Sequence, residues 1–343
     1  MKIGFDRRLG VGDIVTSIPT LYMIKRLYPQ AVLTLFTTKT GKMLCKNYDF
    51  IDKIITANKD GSEIEQINKR SFELDELFTQ YAEDILILGE RTSKNIKIAK
   101  QSKCKKIITW RHLHSIFSKR FYHPKHIKRS QRLEILRCLD LTRMIEPKIY
   151  DKFMSENKFE LKSLPVRLTT DKENQVFVKD FLEKNQAQKY EKIIIVNCFG
   201  ISSAKYNLKM QDWIFLVQKL SKIYPQILFV FTNFNGSGFE FKDFKEENIK
   251  VFLDNEILNL AELLKNCDLA VSISTGNIHI ADNLSVDCLG LFGKSDELLF
   301  PCGNYGNHFE VLYLPKNWTQ NYKFYFAEFE KLFDLNIKRI LKK

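Results

Sequence analysis

The chain has 343 residues, long for one ordinary domain and comfortable for two of roughly 150 each. Hydrophobic residues at 44% and charged residues at 28% exclude a disordered chain, and 14 Gly with 8 Pro exclude a fibrous one. The net charge is +13, and 14 of the 54 Lys/Arg lie between Arg91 and Arg132 with no Asp or Glu, so the remainder is nearly neutral and one segment carries the excess.

The chain opens on a buried-type strand, Lys2 to Phe5, followed by a loop Arg7-Arg8-Leu9-Gly10-Val11-Gly12-Asp13. Ile14, Ile18, Leu21, Ile24 and Leu27 then recur at helical spacing up to Pro29, and residues 31–37 read as a second strand. Strand, glycine loop, helix and strand begin a doubly wound unit, continued by apolar runs at 51–55, 84–88 and 106–109. Residues 164–168 read as a linker, and a helix follows over about 171–185. A second α/β series then runs through strands at 192–197, 226–232, 269–273 and 286–292, with helices at 213–224, 258–266 and 277–283. Residues 324–343 read as a terminal helix with basic residues near its C-terminus, the favourable end of its dipole.

No apolar run approaches the ~20 residues of a membrane span, and the N-terminus shows no signal-peptide pattern, so the expectation is a cytoplasmic, non-integral protein. The seven cysteines are widely spaced and form no Cys-x-x-Cys pair, which predicts reduced, mostly buried thiols rather than disulfides or a zinc site.

Three segments carry residues with chemical potential. In the first, Gly10 and Gly12 allow close approach of a ligand, and Asp13 lies near a helix start at the strand C-termini, where α/β folds bind ligands. The same aspartate suits a helix N-cap. In the second, a strand runs through Ser274, Thr275, Gly276 and Asn277 into a helix carrying His279, a turn whose backbone N–H groups and hydroxyls suit a phosphate or diphosphate. A helix cap with a packed histidine fits that spacing equally well. In the third, Lys205 follows Gly200, Ser202 and Ser203 just after the strongest strand of the second half, where its ammonium can meet phosphate oxygens.

Taken in order, these segments resemble glycosyltransferase family 9, the bacterial lipopolysaccharide heptosyltransferases. The stretch Asp6 to Pro19 looks like that family's opening signature, and Ser274-Thr275-Gly276-Asn277-Ile278-His279-Ile280-Ala281 with Gly290 to Asp296 looks like its second. Lys205 through Trp213 resembles its donor-lysine region, so the matches spread over about 300 residues in family order. The resemblance implies a GT-B architecture of two Rossmann-like domains facing a central cleft: 1–165 for the acceptor, 166–320 for the nucleotide sugar, and a helix over 321–343 returning to the first domain. It implies inverting, metal-independent transfer of heptose from ADP-heptose to the inner core of lipopolysaccharide, with no cofactor beyond the nucleotide-sugar co-substrate. Asp13 matches the catalytic aspartate, and Lys205, Thr275, Gly276 and His279 match donor-site positions. Ser274 departs from the family, which usually carries an aspartate there.

The resulting expectation is a base, Asp13, and a diphosphate site built from Ser202, Ser203, Lys205 and the Ser274–Asn277 turn. Gly10, Gly12, Arg120, Lys125, Lys128 and Arg129 are the candidate acceptor contacts. A lipid A–Kdo core is polyanionic, and the basic segment with its Trp110, Leu113, Ile116, Phe117, Phe121 and Tyr122 suits it and the inner-membrane surface. The expected state is a monomer on the cytoplasmic face. The alternatives are a glycosyltransferase using another nucleotide sugar, a sugar-nucleotide epimerase or hydrolase, and a basic nucleic-acid-binding protein, the last without any recognised nucleic-acid motif.

Overall fold

A computed structural model describes residues 1–56, 83–125, 132–157, 160–200, 204–300 and 303–343. The chain divides into two compact units, Met1–Val166 and Arg167–Lys343, each built on a six-stranded parallel sheet. Parallel strands cannot be joined by hairpins, so each crossover carries the chain over a sheet face, and the strands become buried on both sides.

In the first unit the strands are β1 (Lys2–Arg7), β2 (Val32–Thr37), β3 (Lys53–Thr56), β4 (Ile85–Leu88), β5 (Lys106–Ile108) and β6 (Phe121–Tyr122), in the order β3-β2-β1-β4-β5-β6. The order reverses between β1 and β4, and the crevice beyond their C-terminal ends is where such sheets hold ligands. The helix expected over 14–27 is broken into α1 (Val11–Val15) and α2 (Ile18–Leu27). Pro19, in the first turn of α2, has no N–H to continue the α1 ladder, and the Ser17 hydroxyl donates to the Asp13 carbonyl at 2.7 Å. Helices α3 (Lys39–Cys45), α4 (Ser93–Gln101), α5 (Glu134–Arg143) and α6 (Pro147–Glu156) complete the described part of this unit. Ile96, Ile98 and Ala99 of α4 pack on Leu86, Leu88 and Ile107, and Ile135 and Leu139 of α5 pack on Met23 and Tyr150.

In the second unit β7 (Lys192–Asn197), β8 (Ile227–Asn233), β9 (Ile249–Leu253), β10 (Leu269–Ile273), β11 (Cys288–Gly293) and β12 (Phe309–Leu314) are ordered β12-β11-β10-β7-β8-β9. The reversal here falls between β7 and β10. Helices α7 (Lys172–Lys184), α8 (Met210–Ile223), α9 (Ile257–Lys265), α10 (Gly276–Asn283) and α11 (Tyr322–Leu341) surround the sheet. The core joins Trp213, Leu216 and Leu220 of α8 to Val196, Phe229 and Phe231 of the sheet.

The terminal helix packs within the second unit. Phe329, Phe333, Ile337 and Ile340 of α11 are buried in the second unit's core, Phe329 meeting Trp213 edge-on at 5.3 Å. Arg339 near its C-terminus pairs with Asp287 at 2.6 Å, so both the apolar stripe and the basic end of this helix are used within the second unit. Cys45, Cys104, Cys138, Cys198 and Cys288 are buried free thiols, and no described helix is long and apolar enough to cross a membrane.

One buried carboxylate makes the second unit's stability depend on pH. Burial pushes the Asp282 carboxyl up to about 6, against the opposing effect of the Gly303 N–H, which donates to its Oδ1 at 2.7 Å. The folded pKa lies above the unfolded one, so this group's stabilising contribution is complete below about pH 4 and is lost as pH rises through about 6. With ~1.4 kcal/mol per pKa unit, Asp282→Asn should gain about 3 kcal/mol relative to the wild type between pH 4 and pH 7. Urea unfolding of both proteins across that range measures it, and a pH-independent difference contradicts it.

Candidate functional site

Each sheet brings a distinct set of polar groups to its own point of reversal. In the first unit the centre is Arg7, the last residue of β1 and almost fully buried. Its Nη1 donates to the Gly89 carbonyl at 2.7 Å, just past β4, and its Nη2 donates to Asp13 Oδ1 at 3.0 Å and Glu134 Oε1 at 2.7 Å. Gly89 is required by this approach, since a Cβ there would lie 2.9 Å from Arg7 Cδ and 3.0 Å from the Asp6 carbonyl. Glu134, brought from α5, is held on its other side by Arg137 at 3.2 Å, whose guanidinium lies 4.3 Å above the Trp110 ring.

Burial works against the Arg7 charge, but the carboxylates of Asp13 and Glu134 outweigh it and shift its pKa upward. Burial likewise pushes the neighbouring Cys138 thiol up to about 11, keeping it a neutral neighbour of the network.

Asp13 does not cap its helix. The N-cap is Gly10, and Asp13 is the third residue of α1, with a side chain 26% exposed. Arg7 fixes Oδ1, while Oδ2 has no hydrogen-bond partner among the described residues. Gly10 leaves the space beside that oxygen open, since a Cβ added there would come no nearer than 3.8 Å to it. The arrangement is a carboxylate anchored by one oxygen and presenting the other at the sheet's reversal point. The second arginine of the loop, Arg8, is spent on Asp6 at 2.8 Å and Asn95 at 3.3 Å.

In the second unit β10 ends at Ile273, Ser274 and Thr275 follow it, and α10 starts at Gly276. Thr275 is the N-cap residue, yet its side chain does not cap the helix. Asn197 at the end of β7 donates to its Oγ1 at 3.1 Å and to Ser272 Oγ at 3.0 Å, which ties the hydroxyl to the end of the sheet. Among the described residues the Thr275 side chain therefore leaves the first-turn N–H groups of α10 uncapped, as an anion site requires. Gly200 lets the turn close against β7, since a Cβ would fall 2.5 Å from Thr275 Cγ2.

Lys205 sits in the exposed turn Ala204–Tyr206, its ammonium 5.0 Å from the Tyr206 ring. That ring lies flush on Gly293 at the end of β11, where a Cβ would come within 2.5 Å of it, and Trp318 Nε1 donates to the Lys205 carbonyl at 3.0 Å. Lys205, Ser274, Thr275, Gly276 and Asn277 thus share the C-terminal edge of the second sheet. Ser274 donates to Asp296 Oδ2 at 3.1 Å, a carboxylate that follows β11. His279 is buried, its ring 5.2 Å from that of Phe300, as a packed histidine is.

Of the candidate acceptor contacts, Gly10 and Gly12 lie beside Asp13, and Lys125 is exposed. Arg120 is already engaged. Its guanidinium donates to the carbonyls of Lys100, Ser102 at 2.9 Å and Cys104 at 3.0 Å, closing the C-terminal end of α4. Ser202, Ser203, Lys128 and Arg129 lie outside the described residues. No three His, Cys, Asp or Glu side chains converge on a metal-sized site among the described residues.

Sequence reasoning missed Glu134, Gly89 and Asn197. Each reaches its partner from another element, Glu134 across 127 positions to Arg7 and Asn197 across 78 to Thr275, and no local spacing signals such pairs.

No protein-family sequence model matches the chain, and no curated protein sequence does. Solved structures do. A glycosyl transferase family 9 protein from Veillonella parvula superposes with a TM-score of 0.71 at 13% identity, covering 100% of this chain and 97% of that one. The E. coli ADP-heptose lipopolysaccharide heptosyltransferase II gives 0.65 at 14% identity over 91% of this chain and 90% of its own. The E. coli heptosyltransferase WaaC, solved with ADP, gives 0.59 at 14% identity over 97% and 100%. The chain therefore has the α/β GT-B fold of these structures, with two Rossmann-like units.

Proposed function

We propose that this protein is an inverting glycosyltransferase that moves heptose from ADP-heptose to the inner core of lipopolysaccharide or lipooligosaccharide. The observations that carry the reading are an anchored, half-open carboxylate at the first sheet's reversal point and, within the second unit, an uncapped helix start and a lysine at that sheet's C-terminal edge. A single-displacement transfer needs those two functions.

In this reading Asp13 Oδ2 accepts the proton of an acceptor hydroxyl while that oxygen attacks the anomeric carbon of the donor. The bond from that carbon to the diphosphate breaks, ADP leaves with the electron pair, and the new glycoside has inverted configuration. The developing charge on the diphosphate falls to the Lys205 ammonium, the N–H groups of Gly276 and Asn277 and the Thr275 hydroxyl, with Ser202 and Ser203 nearby in sequence. These donors do the work a divalent metal does elsewhere, so the proposed transfer is metal-independent. The acceptor is a lipid-linked, polyanionic core met by Lys125, Lys128 and Arg129, and the enzyme works as a monomer at the cytoplasmic face of the inner membrane.

Calorimetric titration with ADP tests the donor half. The wild type should bind ADP equally with and without EDTA. Lys205→Ala should weaken binding about tenfold or more, and Thr275→Ala less, because hydrogen bonds to a charged donor are the stronger ones. Absent ADP binding, unchanged affinity in Lys205→Ala, or a strict need for Mg²⁺ would contradict the reading.

A further inference from the structure

The turn between β5 and β6 reverses the usual distribution of side chains. Leu113 is 67% exposed, Ile116 40% and Phe117 82%, while Ser115 in their midst is fully buried. Single exposed leucines are ordinary. Here three large apolar residues at i, i+3 and i+4 lie on one face of a single turn.

The turn is held in that orientation by its polar groups. The N–H groups of Ser115 and Ile116 donate to the His112 carbonyl at 2.9 and 3.2 Å, and the Ser115 hydroxyl donates to that carbonyl at 2.8 Å. Ser115 Oγ also meets His123 Nε2 at 3.4 Å, and His123 Nδ1 meets the Thr109 carbonyl at 2.9 Å. These bonds hold the turn from within, while Leu113, Ile116 and Phe117 are turned to solvent.

Charge says what covers it. Arg111 and Lys119 flank the apolar residues and Lys125 follows β6; all three are exposed and have no acidic partner among the described residues. The whole segment 91–132 contains no Asp or Glu. An apolar tip ringed by cations suits an anionic lipid surface, where the tip enters the acyl boundary and the cations stay among the headgroups.

We propose that the Leu113–Ile116–Phe117 turn docks this protein on an anionic lipid leaflet. The inference deepens the lipid-linked acceptor of the preceding reading and rests on it for its role, but its test requires no turnover.

The test is co-sedimentation of the full chain with phosphatidylcholine vesicles, with and without phosphatidylglycerol. The wild type should bind the phosphatidylglycerol vesicles and bind phosphatidylcholine alone far more weakly. Leu113→Ser/Phe117→Ser, which alters only exposed side chains, should lower binding by about tenfold or more at unchanged thermal stability. Lys119→Gln and Lys125→Gln should each lower it about fivefold, and salt should mimic them. Failure of the wild type to bind, or equal binding by the serine variant, overturns the docking surface. So does a concentration-dependent dimer, in the absence of vesicles, that the serine variant abolishes. Vesicle binding that behaves as expected in a protein that neither binds ADP nor transfers a sugar would instead overturn the glycosyltransferase reading and leave the docking surface standing.

Discussion

Arg7→Met should destabilise the protein by about 3–5 kcal/mol, the cost typical of removing one partner from a buried ion pair. The guanidinium serves the Gly89 carbonyl, Asp13 and Glu134 at once, and methionine replaces none of those donors. Glu134 keeps Arg137 at 3.2 Å, but one of its oxygens is left buried without its 2.7 Å partner. A lysine at position 7 keeps the charge and loses the planar fork, so Arg7→Lys should cost less than methionine and more than a surface change. Urea unfolding of the three proteins at neutral pH measures the series. A methionine variant within 1 kcal/mol of the wild type would show that the network relaxes without strain and that Asp13 is not anchored through it.

How much of this was legible in the sequence depends on the reach of each interaction. The strands at 2–7, 192–197 and 269–273 announce themselves as short apolar runs, because a strand in a parallel sheet is buried on both faces. Lys53–Thr56, Phe121–Tyr122 and Phe309–Leu314 are edge strands, two of them only two to four residues long, and only the first overlaps a strand expected from the sequence. The glycine loops mark where the backbone must come close, and Gly200 shows why, packed against Thr275. The sequence is silent on what those loops are tied to. Asp13 reads as a cap or a base until Arg7 and the Gly10 cap are seen in place. Arg120 reads as one more surface cation, and only its three carbonyl partners assign it to the end of a helix. The basic segment is visible as charge arithmetic, whereas the inversion of Ser115 and Phe117 is visible only in burial.

Asp13→Asn should lower glycosyl transfer by about 10²–10⁴-fold, the usual worth of a general base. The amide keeps an oxygen for Arg7 at the position of Oδ1, so the network and the fold should survive, and ADP affinity should be unchanged because the diphosphate donors belong to the other unit. The measurement is mass-spectrometric detection of product from ADP-heptose and a Kdo-bearing lipid A acceptor, with ADP release followed in parallel. The account predicts that the wild type adds one heptosyl group per ADP released and that the asparagine variant binds ADP normally while losing nearly all transfer. Transfer by the variant within a few-fold of the wild type, or donor consumed by the wild type at the same rate without acceptor, would contradict it.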